Sequence, residues 1–226
     1  MSGTTDHSGK VALVTGGNRR ILLGTGRQLA ELGFTVLIGV PAVAKGEAAA
    51  KKLGGNVEAI ALDVAAPDGP ALAAAEVEGR FGRLDVLVNN AAIHYDLSAR
   101  AQRPHRTVGH KAFETYVVGA WRVAFAFAPL LGASGHGRLV TVSPEGGPPA
   151  YATGRATLNA LTRILAAELR DAGVLVNAVS PDWVETDMGR PGGPAVPGAA
   201  GIVWAVTLPD DGPTGGFFRH GRRLPW

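Results

Sequence analysis

The chain has 226 residues, 46% of them hydrophobic and 18% charged, a composition that is globular rather than disordered and suits one folded domain. A net charge of +3, with arginines scattered in small clusters, leaves no electrostatic footprint for a nucleic-acid partner. The absence of cysteine excludes disulfides, thiolate nucleophiles and cysteine-held metal, and the histidines show no ligand spacing, so no metal is expected.

The opening MSGTTDHSGK is polar and has no apolar signal core, and residues 1–9 are expected to form a disordered tail. From Val11 onward, short apolar runs alternate with helical patterns. Strands are predicted near 11–15, 34–39, 57–61, 84–88, 138–142 and 174–178, with a weak last one near 215–218. Helices are predicted over about 22–32, 43–53, 69–80, 112–131 and 150–171, most of them followed by glycine (Gly33, Gly54, Gly82, Gly132, Gly173). This alternation predicts an α/β fold with a doubly wound parallel sheet of about seven strands, in a single domain over 1–226. The run VVGAWRVAFAFAPLLG is broken by Arg122 and Pro129 and is too short for a membrane span. A cytoplasmic protein without a membrane partner is expected. Trp121, Phe125 and Phe127 in that helix read as packing residues rather than as a substrate box.

Two segments, 93–110 and 181–200, lack periodicity. Both follow strands, and a doubly wound sheet binds ligands beyond the carboxyl ends of its strands, so both are candidate cleft walls. For 93–110 an ordinary surface loop is an equal reading. Within it, His94 and Asp96 would lie at the cleft mouth, where a histidine can exchange protons near neutral pH; exposed loop residues are the alternative. The stretch TGGNRRILLGTG at 15–26 follows the first strand, where a phosphate-binding turn belongs.

Taken in order, these motifs resemble the short-chain dehydrogenase/reductase family over nearly the whole chain. The anchors are Thr15-Gly16, Asp63-Val64, NNAA at 89–92, Tyr151 opening a long helix, and VNAVSPDWVETDM at 176–188. The ending DDGPTGGFFRHGRRLPW resembles the monomeric carbonyl-reductase branch, which implies a monomer or weak homodimer. The resemblance implies a Rossmann-like sheet and hydride transfer between a nicotinamide and a carbonyl or alcohol. It makes Tyr151 the acid/base, and assigns cofactor contacts to Thr15, Gly16, Arg19, Asp63, Asn89 and Thr186. Trp183, in the loop that family members use to cover substrate, and Asp182 beside it are candidate substrate contacts.

The departures gather on the same cleft. Arg155 stands where the family has lysine, one helical turn after Tyr151, and its planar guanidinium does not simply replace an ammonium. Pro144 takes the reactive serine's place, leaving Ser143 as the nearest hydroxyl. Tyr116 replaces the helix asparagine that supports a proton relay. Arg20 and Leu22 align with the family's later two glycines, which predicts that NADP(H) binds weakly or not at all. With small-molecule chemistry kept and hydride transfer lost, the expected activity is non-redox acid/base catalysis (cyclisation, elimination, isomerisation or aldol-type chemistry) on a small oxygenated apolar metabolite, in natural-product biosynthesis. The alternative is an NADP(H)-dependent carbonyl reductase, and a third reading is a silent binding protein.

Overall fold

Burial on both faces of every central strand explains why the strands read as unbroken apolar runs. In β1 (Val11–Thr15), Val11 and Leu13 enter one core while Ala12 and Val14 enter the other. The same two-residue alternation places Leu37 on the first side of β2 (Thr35–Val40) and Val36, Ile38 and Val40 on the second. The computed structural model describes residues 6–16, 20–90, 106–143, 149–181 and 195–226. Its other strands are β3 (Val57–Ala61), β4 (Val86–Asn89), β5 (Arg138–Val142), β6 (Leu175–Val179), β7 (Phe217–Arg219) and β8 (Arg222–Leu224). They form one eight-stranded sheet in the order β3-β2-β1-β4-β5-β6-β7-β8, parallel except for β8 against β7. The sheet thus has one strand more than the expected seven.

Helices α1 (Arg20–Glu31) and α2 (Val43–Leu53) cover one face together with α7 (Ala195–Val206). The other face carries α3 (Gly69–Phe81), α4 (Arg106–Phe113), α5 (Ala120–Ala133) and α6 (Pro149–Glu168). A π-helical turn, Glu114–Gly119, joins α4 to α5, so the single helix expected over 112–131 is a longer run with an extra residue wound into it. By length and composition Gly109–Ala133 could cross a membrane, but Tyr116, Val123, Ala124, Phe127 and Leu131 fill the core beneath the sheet. Phe127 packs as expected, whereas Trp121 and Phe125 are exposed, at 57% and 79%.

Several boundaries differ from expectation. Residues 106–110 and 195–200, expected as loop, are helical. Gly132 lies inside α5, and the left-handed residue that ends this helix is Gly135, at φ 70°. Residues 6–9 dock instead of trailing away: the His7 N–H donates to Leu32 O at 3.1 Å and the His7 ring stacks on Phe34 at 4.5 Å.

Candidate active site

The strand order reverses between β1 and β4, and the carboxyl ends of these two strands are where a doubly wound sheet receives its ligand. Thr15, 1% exposed, clasps the two ends together. Its Oγ1 donates to Val88 O at 3.3 Å and accepts the Asn90 N–H at 2.9 Å. The next residue, Gly16, turns with φ 69° and donates its N–H to Gly39 O, a conformation that favours glycine. After residues 17–19, α1 begins at Arg20, so the backbone at positions 20 and 22 is helical. Asn89, buried at the end of β4, donates from Nδ2 to Ala120 O at 3.1 Å and fixes the start of α5 against the sheet. Beyond β3, the exposed Asp63 accepts the Ala65 N–H and keeps a second carboxylate oxygen toward solvent.

The π turn brings Thr115, Tyr116 and Val117 inward together. Tyr116 is 1% exposed, and Arg155 of α6, 4% exposed, lays its guanidinium carbon 4.8 Å from the Tyr116 ring centroid. Thr15, Asn89, Asn90, Thr115, Tyr116, Ala120, Arg155 and Leu158 line a small cavity of about 10 Å³, the size of one water molecule. A nicotinamide or a substrate is far larger than this cavity. Ser143, at the end of β5, is buried, and its Oγ donates to the Arg155 backbone carbonyl at 3.4 Å. That contact ties β5 to α6. The Tyr151 backbone lies in the first turn of α6, one helical turn before Arg155.

The fold therefore gathers Thr15, Gly16, Asn89, Tyr116, Ser143 and Arg155 at one end of the sheet, with Tyr151 on the same helix as Arg155. His94, Asp96, Arg19, Asp182, Trp183 and Thr186 lie outside the described residues. Sequence reasoning missed Thr115 and Asn90. Asn90 was within reach as the second asparagine of NNAA; a threonine in an otherwise apolar helix was the signal for Thr115.

These features define a doubly wound α/β protein with a candidate ligand site at the β1/β4 switch point. The chain matches the short chain dehydrogenase family over residues 10–195 and belongs to it. It is 35% identical over 194 residues to the short-chain reductase protein NovJ of Streptomyces niveus, covering 79% of this chain and 70% of that protein. It is 30% identical over 188 residues to the 3-oxoacyl-[acyl-carrier-protein] reductase FabG of Escherichia coli, covering 80% and 76%. Among solved structures, a metagenomic short-chain oxidoreductase in complex with NADP superposes with a TM-score of 0.80 at 27% identity, over 94% of this chain and 97% of that one.

These findings correct the expectation of absent or weak NADP(H) binding, since a structural relative holds NADP and the curated relatives are named reductases. The physical reason lies in the backbone. Arg20 and Leu22 occupy helical positions, which any residue adopts, while the turn that favours glycine keeps Gly16. The residues present fit a dinucleotide: a left-handed turn at Gly16 and the amino end of α1 suit a pyrophosphate, and Asp63 offers a solvent-facing acceptor. The same relatives favour the reductase alternative over the non-redox reading.

Proposed function

We propose that the chain is an NADP(H)-dependent carbonyl reductase acting on a small oxygenated apolar metabolite. The observation that carries this reading is the buried Arg155 cation, one helical turn after Tyr151 and at the edge of the switch-point pocket. When bound, the nicotinamide supplies or accepts the hydride. Tyr151 gives its phenolic proton to the carbonyl oxygen during reduction and takes it back during oxidation. Arg155 stabilises the phenolate left behind, because a positive charge one turn away favours the charged form. Thr15 and Asn89 hold the ends of β1, β4 and α5 in register around the site. NADP is favoured over NAD by the segment after β2. There Pro41 and Ala42 are exposed, and no carboxylate stands where an acid would bind a ribose 2′-hydroxyl. Arg19, which follows β1 in sequence, is a basic residue that could serve a 2′-phosphate.

The test combines calorimetric titration with NADPH and NADH and an assay of NADPH consumption against a panel of small ketones and aldehydes. NADPH is expected to bind more tightly than NADH. Tyr151→Phe removes one oxygen and is expected to lower turnover by roughly two to four orders of magnitude. Failure of both nucleotides to bind at millimolar concentration would overturn the reading.

A further inference from the structure

We infer that Gly119 is a positioning residue for Asp63: having no side chain, it lets the π turn bear directly on the Val64 carbonyl and so holds the Asp63 carboxylate in place for the nucleotide. The inference rests on the reductase reading only for what that carboxylate binds. Thr15, Gly39 and Ile60 stand abreast across β1, β2 and β3, so Gly16 and Asp63 both lie just past the carboxyl ends of their strands. They are two strand spacings apart, about 10 Å, within the span of a dinucleotide whose phosphates rest at Gly16. Asp63 Oδ1 accepts the Ala65 N–H at 3.0 Å, which leaves Oδ2 as an acceptor for a hydroxyl or amino donor on that nucleotide.

An acceptor on an exposed turn adds affinity only if the turn is held in advance. The sheet fixes the residue before it, with the Leu62 N–H donating to Val40 O at 2.9 Å. The Ala66 N–H then closes the turn on Asp63 O at 3.2 Å, and Val64 roots its side chain in the core at 7% exposure. A further restraint comes from a distant part of the chain. A Cβ on Gly119 would stand 2.9 Å from Val64 O and 3.0 Å from Val64 Cγ2. The first of these is a backbone atom, so making room for the Cβ means moving the peptide that follows Asp63. Gly119 has helical φ and ψ, −62° and −48°, so space and not conformation calls for glycine here. Glycine is otherwise a poor choice within a helical run. Ala120, the next residue, accepts from Asn89 Nδ2 at 3.1 Å. The end of the π turn therefore sets both the Asp63 turn and the end of β4 from one place, and the two sides of the nucleotide site keep a fixed spacing.

The experiment is a double-substitution cycle read by calorimetric titration with NADPH, together with hydrogen exchange in the absence of nucleotide. Asp63→Ala deletes a charge-assisted hydrogen bond and is expected to weaken NADPH about ten- to hundredfold. Gly119→Ala is expected to incur part of that loss, about five- to tenfold. In the Asp63→Ala background, where no carboxylate remains to be placed, Gly119→Ala is expected to change the affinity by less than about twofold. A merely structural role would weaken NADPH equally in both backgrounds, and that result overturns the inference. Without nucleotide, Gly119→Ala is expected to speed exchange of the Ala65 and Ala66 amides about threefold or more and to leave the amides of β5 unchanged. Unaltered exchange at Ala65 and Ala66 also overturns it.

If Gly119→Ala does not fold, the decision passes to Val64→Ala, which loosens the same turn by removing the methyl groups beside Gly119. For that variant, no fall in NADPH affinity, or an equal fall with and without the Asp63 carboxylate, overturns the inference. A native chain that binds no NADPH sinks the reductase reading, whereas the exchange measurement still decides whether Gly119 holds the Asp63 turn.

Discussion

The hydroxyl of Thr15 is expected to govern both stability and nucleotide affinity. Thr15→Val keeps the side-chain shape and removes the oxygen that accepts the Asn90 N–H at 2.9 Å and donates to Val88 O at 3.3 Å. The second bond is long and adds little. The first leaves a partly buried backbone donor without its acceptor, at a cost of about 1–3 kcal/mol. For a chain of this length 1 kcal/mol moves the melting temperature by about 2–4 °C, so a fall of about 2–12 °C is expected. Asn90 is the last described residue before 91–105, at the carboxyl end of β4, so loosening its backbone loosens the ligand side of the switch point. NADPH affinity is expected to fall about tenfold, the equivalent of 1.4 kcal/mol. Scanning calorimetry and calorimetric titration measure the two quantities on the same sample, and Thr15→Ser, which keeps the oxygen, is the control. A valine variant that melts within about 1 °C of the native protein and binds NADPH as well would refute the reasoning.

Arg138, 4% exposed, donates to Leu208 O from Nε and Nη2, to Gly137 O from Nη1, and pairs with Asp210 at 2.7 Å. Arg138→Met is expected to lower stability by about 2–4 kcal/mol, seen as a lower urea midpoint with an unchanged slope, and an unmoved midpoint would count against it. Burial depresses the His7 pKa below the ordinary histidine value, with Lys10 adding to the effect. The folded state therefore prefers neutral His7, and its contribution is complete above the unfolded histidine pKa, about 6.5, and lost as the pH falls below that value toward the folded one. Thermal melts between pH 7.5 and pH 5 are expected to show a smaller acid loss in His7→Phe than in the native chain; equal losses would exclude His7 as the cause.

Much of the scaffold was legible because each central strand is buried on both faces. β1, β3, β5 and α2 fall on the limits that the apolar runs and flanking glycines suggest. Helix α7 was not legible. Its sequence AVPGAAGIVWAV is apolar throughout, with Pro197 in the first turn and Gly198 and Gly201 inside, so it shows no polar stripe. It is helical because its packing against α1, β5 and β6 outweighs weak local propensity. Strand β8 escaped for the opposite reason, being short and charged. The turn that folds it back has positive φ at both His220 and Gly221, the pairing that suits a two-residue hairpin. In the site, Tyr116 and Arg155 stood out as departures, but their stacking depends on the π turn, which no periodicity announces. Asp85 shows the same limit. It accepts from the Val11 backbone N–H and from Ser134 Oγ, joining three segments far apart in sequence.

The glycine-poor loop after β1 shows how a motif can mislead when residues are matched without asking what each backbone position requires. Three glycine positions of the family pattern meet Gly16, Arg20 and Leu22 here. Only Gly16 has a left-handed φ, where a side chain would be strained. Positions 20 and 22 lie in α1, and there the comparison reverses, because glycine is the poor choice in a helix by about 1 kcal/mol per residue. The backbone at these two positions continues the helix whose amino end suits a pyrophosphate. The substitutions that suggested a lost cofactor thus leave the left-handed turn at Gly16 in place. What they change is the residue type at positions 20 and 22. That bears on which nucleotide is preferred, and at what affinity, rather than on whether the fold can hold one.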